Sequence, residues 1–76
     1  MSRKPEFITR FFEAAHGAKP RGQGSWAFIA ADGTDVADRY GLVADAYGPY
    51  AAAKTMAVRR LTTANGRKPA YVHTLS

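Results

Sequence analysis

No cysteine occurs in these 76 residues. Disulfides and thiolate metal sites are therefore excluded, and a common reinforcement of small domains is missing. Histidine is scarce as well. His16 and His73 stand 57 positions apart, without the HxxxH or HxH spacing that brings two imidazoles onto one ion. No run of 18 apolar residues exists, so no membrane-spanning helix is expected. Met1-Ser2-Arg3-Lys4-Pro5 is basic like the start of a secretion signal, but Glu6, Arg10 and Glu13 interrupt the apolar stretch that should follow. The expectation is a soluble, cytoplasmic protein. Acid is the remaining shortage: six Asp and Glu stand against eleven Lys and Arg, and none follows Asp45.

What is present suits one small domain over residues 1–76. A chain this short buries only about 60% of its unfolded surface, so its nine aromatic residues must supply much of the core. The charge is unevenly spread. Residues 1–31 carry five basic and two acidic side chains; residues 32–45 set Asp32, Asp35, Asp38 and Asp45 against Arg39. From 46 onward Lys54, Arg59, Arg60, Arg67 and Lys68 have no acidic neighbour in sequence. Such a segment can present a field of one sign to nucleic acid or to an acidic protein.

The periodicity predicts a helix over 5–16, with Pro5 at its first position and Gly17 past its end. Phe7, Ile8, Phe11, Ala14 and Ala15 share one arc with Phe12 at its rim, and Glu6 and Arg10 form an i, i+4 pair. Residues 17–24, with three glycines and Pro20, read as a loop. Residues 25–31 read as a strand with Trp26 and Phe28 on one face and Ile29 on the other. Asp32-Gly33 signals a turn, 34–41 fits a hairpin extension or a helical turn, and Leu42–Tyr47 reads as a second strand, antiparallel to the first if the connection is a hairpin. Gly48-Pro49 opens a second helix whose Tyr50, Ala53, Ala57, Leu61 and Ala64 align, and Asn65-Gly66 ends it. Ala70–Leu75 reads as a third strand. The expected fold is α+β: a two-layer sandwich in the order α-β-β-α-β, with a three-stranded sheet and two helices. If the second helix joins parallel strands, that crossover should be right-handed.

No catalytic constellation emerges. The four aspartates miss the alternating pattern and closing glutamate of a calcium loop and suit turn chemistry. The 17–24 loop lacks the Gly-Lys-Ser/Thr of a phosphate loop and precedes a strand, where that motif needs a helix. His73 on a strand is a candidate without a supporting motif, and His16 suits a surface position. The expectation is a non-enzymatic protein with no metal and no cofactor. Its candidate binding set is Lys19, Arg21, Lys54, Arg59, Arg60, Arg67, Lys68 and Tyr71, with Lys19 and Arg21 on the glycine-rich loop. Tyr71 and Trp26 are the aromatics that could stack on a base, although the size of Trp26 suits the core.

Two resemblances add to this reading. Gly24-Ser25-Trp26-Ala27-Phe28, then Tyr47-Gly48-Pro49-Tyr50-Ala51-Ala52-Ala53-Lys54, then a short final strand resemble small phage and mobile-element proteins of the anti-CRISPR type. The likeness covers roughly residues 24–75, is architectural, and carries over no functional residue. It implies an inhibitor that occludes a surface of a Cascade-type CRISPR effector or its nuclease. The chain itself is expected to be a monomer or weak homodimer. A basic member would grip an acidic protein patch or nucleic-acid phosphates, unlike the acidic DNA mimics of that group. The alternative expectation is a regulatory module that binds RNA or DNA directly. The helix, glycine-rich loop, Gly-Ser and strand order is also similar to small RNA-cleaving toxins with a double-stranded-RNA-binding-like fold. Those carry histidine directly after Gly-Ser, where this chain departs from the pattern with Trp26; an RNA-cleaving toxin is the remote alternative.

Overall fold

The strand expected at 25–31 lies inside the sheet and organises everything around it. The computed structural model describes residues 4–75, so the signal-like start at Met1, Ser2 and Arg3 falls outside the described residues. In chain order the elements are β1 (Glu6–Ile8), α1 (Arg10–His16), β2 (Gln23–Ala31), a 3₁₀ turn (Val36–Asp38), β3 (Arg39–Pro49), α2 (Tyr50–Asn65) and β4 (Tyr71–Thr74). The four strands form one mixed sheet in the order β1-β4-β2-β3. The α+β class and the two helices agree with expectation, but the sheet has four strands where three were expected.

The extra strand comes from the start of the expected first helix. Residues 6–8 are extended and pair parallel with β4, Phe7 opposite Val72 and Ile8 opposite His73. The Glu6 N–H also donates to the Ala70 carbonyl at 3.1 Å. Three residues are too few to show a period of two, and their apolar pair fits a helical arc equally well. The pairing option on β4 decides the matter, and the helix begins only after Thr9. The expected Glu6–Arg10 pair is thereby lost. Arg10 instead donates to the Thr34 carbonyl at 2.6 Å. Ala14 and Ala15, expected on the apolar arc, are exposed. Gly17 ends α1 at φ 72°, the left-handed conformation that suits glycine.

β2 pairs antiparallel with both β3 and β4. β3 and β4 therefore run parallel to each other on either side of β2, and α2 crosses the sheet to join them. Trp26, Phe28, Ala30, Ala44, Ala46 and Val72 on the sheet meet Ala53, Ala57 and Leu61 of α2 in one buried cluster. Six of the ten buried apolar residues among those described are alanine, which lets the helix lie close to the strands. Ala64, expected on that helix face, is exposed. Between Phe28↔Ala44 and Ala30↔Tyr40, β3 takes four steps where β2 takes two, so residues 41–43 bulge. Gly41 has φ 78° there, and a Cβ on it would collide with the Asn65 side chain.

The segment left open at 34–41 resolves into a tight turn followed by the start of β3. Asp35 accepts from the Ala37 N–H at 3.2 Å, and Asp38 accepts from the Asp35 N–H at 3.0 Å, a reciprocal capping box. Two of the four aspartates are thus engaged in turn chemistry.

Candidate anion-binding groove

The short β1 edge and α2 border an open groove of about 460 Å³, lined by Lys4, Pro5, Phe7, Ala51, Lys54, Thr55, Val58 and Lys68. Its construction follows from two periodicities. Alternation along β1 turns Phe7 toward α2, where its ring meets Phe28 edge-on at 5.9 Å. Helical spacing places Ala51, Lys54, Thr55 and Val58 on the α2 flank beside the buried stripe of Ala53, Ala57 and Leu61. Lys68 enters from the connection between α2 and β4, and Lys4 from just before β1. The result is an apolar floor under three ammonium groups.

Lys54 is the best anchored of the three. Its Nζ lies 5.4 Å from the Phe7 ring centroid and 5.3 Å from that of Tyr50, within cation–π range of both. The Tyr50 hydroxyl hydrogen-bonds Thr74 Oγ1 at 2.7 Å. Burial pushes the Tyr50 hydroxyl above its ordinary range, and the Thr74 hydrogen bond offsets part of that rise. Among the described residues, none that lines the groove is acidic. The ion pair found among the described residues is Arg67–Asp32 at 3.4 Å, so no carboxylate among them neutralises Lys4, Lys54 or Lys68.

The candidate set divides in space. Lys54 and Lys68 line the groove. Arg59 is exposed one helical turn beyond Thr55, on the solvent side of α2. Arg60 turns the other way and donates to the Asp45 carbonyl on β3. Arg67 is held by Asp32 and stacks 4.4 Å over the Tyr40 ring. Lys19 and Arg21 are exposed on their loop, whose Gly22 carbonyl accepts from the Tyr50 N–H at 2.9 Å at the start of α2. Tyr71 is half-buried and alternates with the core residue Val72, so it faces away from α2. Lys4 and Phe7 were missed because a helix was expected where β1 lies. A basic residue before a short extended apolar pair was their one trace in the sequence.

The remaining candidates are absorbed by the fold. Trp26 is buried, and its indole N–H donates to the Gly48 carbonyl at 2.9 Å. Its ring packs against Phe12 and Tyr50, which makes it a core residue. His73 has no exposed surface. Arg39 Nε can only donate, so His73 Nδ1 accepts from it at 2.9 Å, and the ring proton sits on Nε2, donating to the Gly33 carbonyl at 2.8 Å. Phe11 stacks on the same imidazole at 5.4 Å, with Arg39 lying over the Phe11 ring. His16 is exposed and stacks on Phe12.

Among the described residues no helix is long and apolar enough to cross a membrane, and no three His, Asp or Glu side chains gather into a metal-binding group. Compared with protein-family models, with curated proteins and with solved structures, the chain matches none.

Proposed function

We propose that this chain is a non-enzymatic binding protein that docks an acidic surface of a protein partner in the groove walled by Lys4, Lys54 and Lys68. The observation that carries the reading is the convergence of three lysines, free of any lining carboxylate, on the apolar floor of Phe7 and Val58. A concave cationic site raises the local concentration of an acidic partner and speeds its approach. The apolar floor then rewards a close fit that charge alone does not. The buried, doubly hydrogen-bonded state of His73 supports a structural role for it.

The resemblance to anti-CRISPR proteins gives this reading its most specific form: an inhibitor that covers an acidic patch on a Cascade-type effector or its nuclease. Direct binding of RNA or DNA would use the same lysines on phosphates. It gains less support here, because Trp26 is buried in the core and Tyr71 faces away from the groove. Titration calorimetry against a purified Cascade-type effector and its nuclease, with single- and double-stranded oligonucleotides run in parallel across a salt series, separates the two. The inhibitor reading predicts binding to a protein component that the Lys54→Glu/Lys68→Glu variant loses. Binding to naked oligonucleotides that falls steeply with salt, with neither protein bound, would replace it with the nucleic-acid reading.

A further inference from the structure

The opposite edge of the sheet carries a second, unrelated surface. β3 is the last strand in the order, so one side of its 11 residues has no neighbour. The exposed large apolar side chains of the described residues are Val36, Leu42, Val43, Tyr47 and Met56. Three lie on β3, Val36 sits in the turn that leads into it, and Met56 is on the α2 flank turned toward it. Leu42 is 76% exposed and Tyr47 74%. Natural edge strands are usually short, lysine-bearing or covered, and this one is none of these beyond its bulge.

The ladder shows which backbone groups are open. The Ala27 carbonyl accepts from Leu75, on the β4 side of β2, so Trp26 and Phe28 turn their groups toward β3. Their partners Ala46 and Ala44 complete those bonds. Asp45 and Tyr47 must then direct N–H and C=O to the open side, where the Arg60 side chain takes one lone pair of the Asp45 carbonyl and leaves the other to accept a strand N–H.

We infer that β3 pairs antiparallel with β3 of a second copy across a two-fold axis at Ala46, setting Asp45 opposite Tyr47 of the second copy. Charge and backbone chemistry set the register. An axis at Asp45 would oppose that carboxylate to itself, an axis at Ala44 would draw in the 41–43 bulge, and an axis at Tyr47 would set Asp45 opposite Pro49, which has no N–H; an axis at Ala46 avoids all three. Each copy brings one acid, Asp45, and one base, Arg60, to the junction, so self-pairing gathers no net charge there. The helix agrees with the strand. Asn65 lies over Gly41 and Arg60 over Asp45, so α2 runs back along β3 and the same axis passes between Met56 and Arg60. Met56 then rests on the aliphatic stem of Arg60 of the second copy. The apolar side chains that this register brings to the junction, Val43, Tyr47 and Met56, offer on the order of 300 Å² per copy, which with the paired backbone suits a weak, concentration-dependent dimer on the small side of the roughly 800 Å² per partner of a standard interface. An alanine-rich core in a short chain also leaves stability to be gained from association.

The pairing makes an eight-stranded sheet with both copies of α2 on one face. It places the two β1 strands, and the lysine grooves beside them, seven strand spacings apart, about 34 Å. The inference does not rest on what those grooves bind.

Sedimentation velocity over a concentration series tests it. The wild-type mass should rise from one 8.2 kDa chain toward two. Tyr47→Lys and Met56→Lys should each raise the dimer dissociation constant at least tenfold, with far-UV circular dichroism unchanged. Because both positions are exposed, either variant can serve if the other folds poorly. A single-chain mass persisting to about millimolar protein, or a dimer that neither lysine weakens, overturns the inference.

Discussion

At one edge of the sheet, three-residue β1 is bordered by Lys4, Lys54 and Lys68; at the other, eleven-residue β3 shows Leu42, Val43 and Tyr47 to solvent. The first edge is too short to template a long strand, and lysines beside an edge discourage strand pairing further. What it offers is charge over an apolar floor. The second edge offers open backbone groups and apolar side chains, with one acid and one base. One small sheet thus separates the two proposed modes of recognition, electrostatic capture and strand addition. The shared core of Trp26, Phe28, Leu61 and Val72 holds the two sites apart.

The comparison can be broken most severely at that core. Phe28 has no exposed surface and supports Phe7 at the first edge and Tyr50 at the start of α2. Phe28→Ala should cost about 3–5 kcal/mol, a large part of the stability of a chain this size. Urea titration followed by circular dichroism should show the midpoint falling sharply or no folded baseline at all. A smaller perturbation isolates the β3 end. Trp26→Phe leaves the Gly48 carbonyl without its indole donor and should cost about 1–3 kcal/mol in the same titration.

The next substitution sharpens the comparison by touching one edge only. Lys54→Glu should weaken binding of an acidic partner by roughly ten- to a hundred-fold, since it replaces an attraction with a repulsion on the groove wall. Its thermal midpoint and its self-association should stay close to wild type. Tyr47→Lys should do the reverse.

The mildest effect is a pH dependence. The Tyr50 hydroxyl titrates above its ordinary value of 10.0 in the folded chain because burial disfavours the phenolate. The folded state therefore holds this proton more tightly than the unfolded state. The contribution is fully present below pH 10 and is lost as pH rises through the folded-state value. Thermal midpoints of wild type should fall more steeply above pH 10 than those of Tyr50→Phe; parallel curves would argue against this origin.

How much of this could be read from the residues depends on the length of each signal. α2 was legible because Pro49 and Gly66 bracket sixteen residues whose Ala53, Ala57 and Leu61 keep one face. β2 and β3 were legible from the alternation around Trp26 and Phe28 and from the Asp32-Gly33 turn, although the hairpin connection proved longer than a tight turn. β1 was not, because Glu6-Phe7-Ile8 acquires its conformation from β4, more than sixty residues away in sequence. The groove was half legible for the same reason. Lys54 and Lys68 stood out as unopposed charges, but Lys4 and Phe7 join them only through that long-range pairing. Arg60 and Arg67 show the converse. They looked equivalent to Lys54 in sequence, yet the fold returns the acidic segment to them, Asp32 on Arg67 and the Asp45 carbonyl on Arg60.

The central claim is that the lysine groove, and not the basic residues at large, receives an acidic partner. Its most direct measurement is an NMR titration of the ¹⁵N-labelled chain with a short polyglutamate peptide at low and high salt. Amide shifts concentrated at Phe7, at residues 51–58 and at Lys68, and suppressed by salt, are the predicted result. Shifts centred on Arg60 and Arg67, or spread evenly over every basic residue, would contradict it.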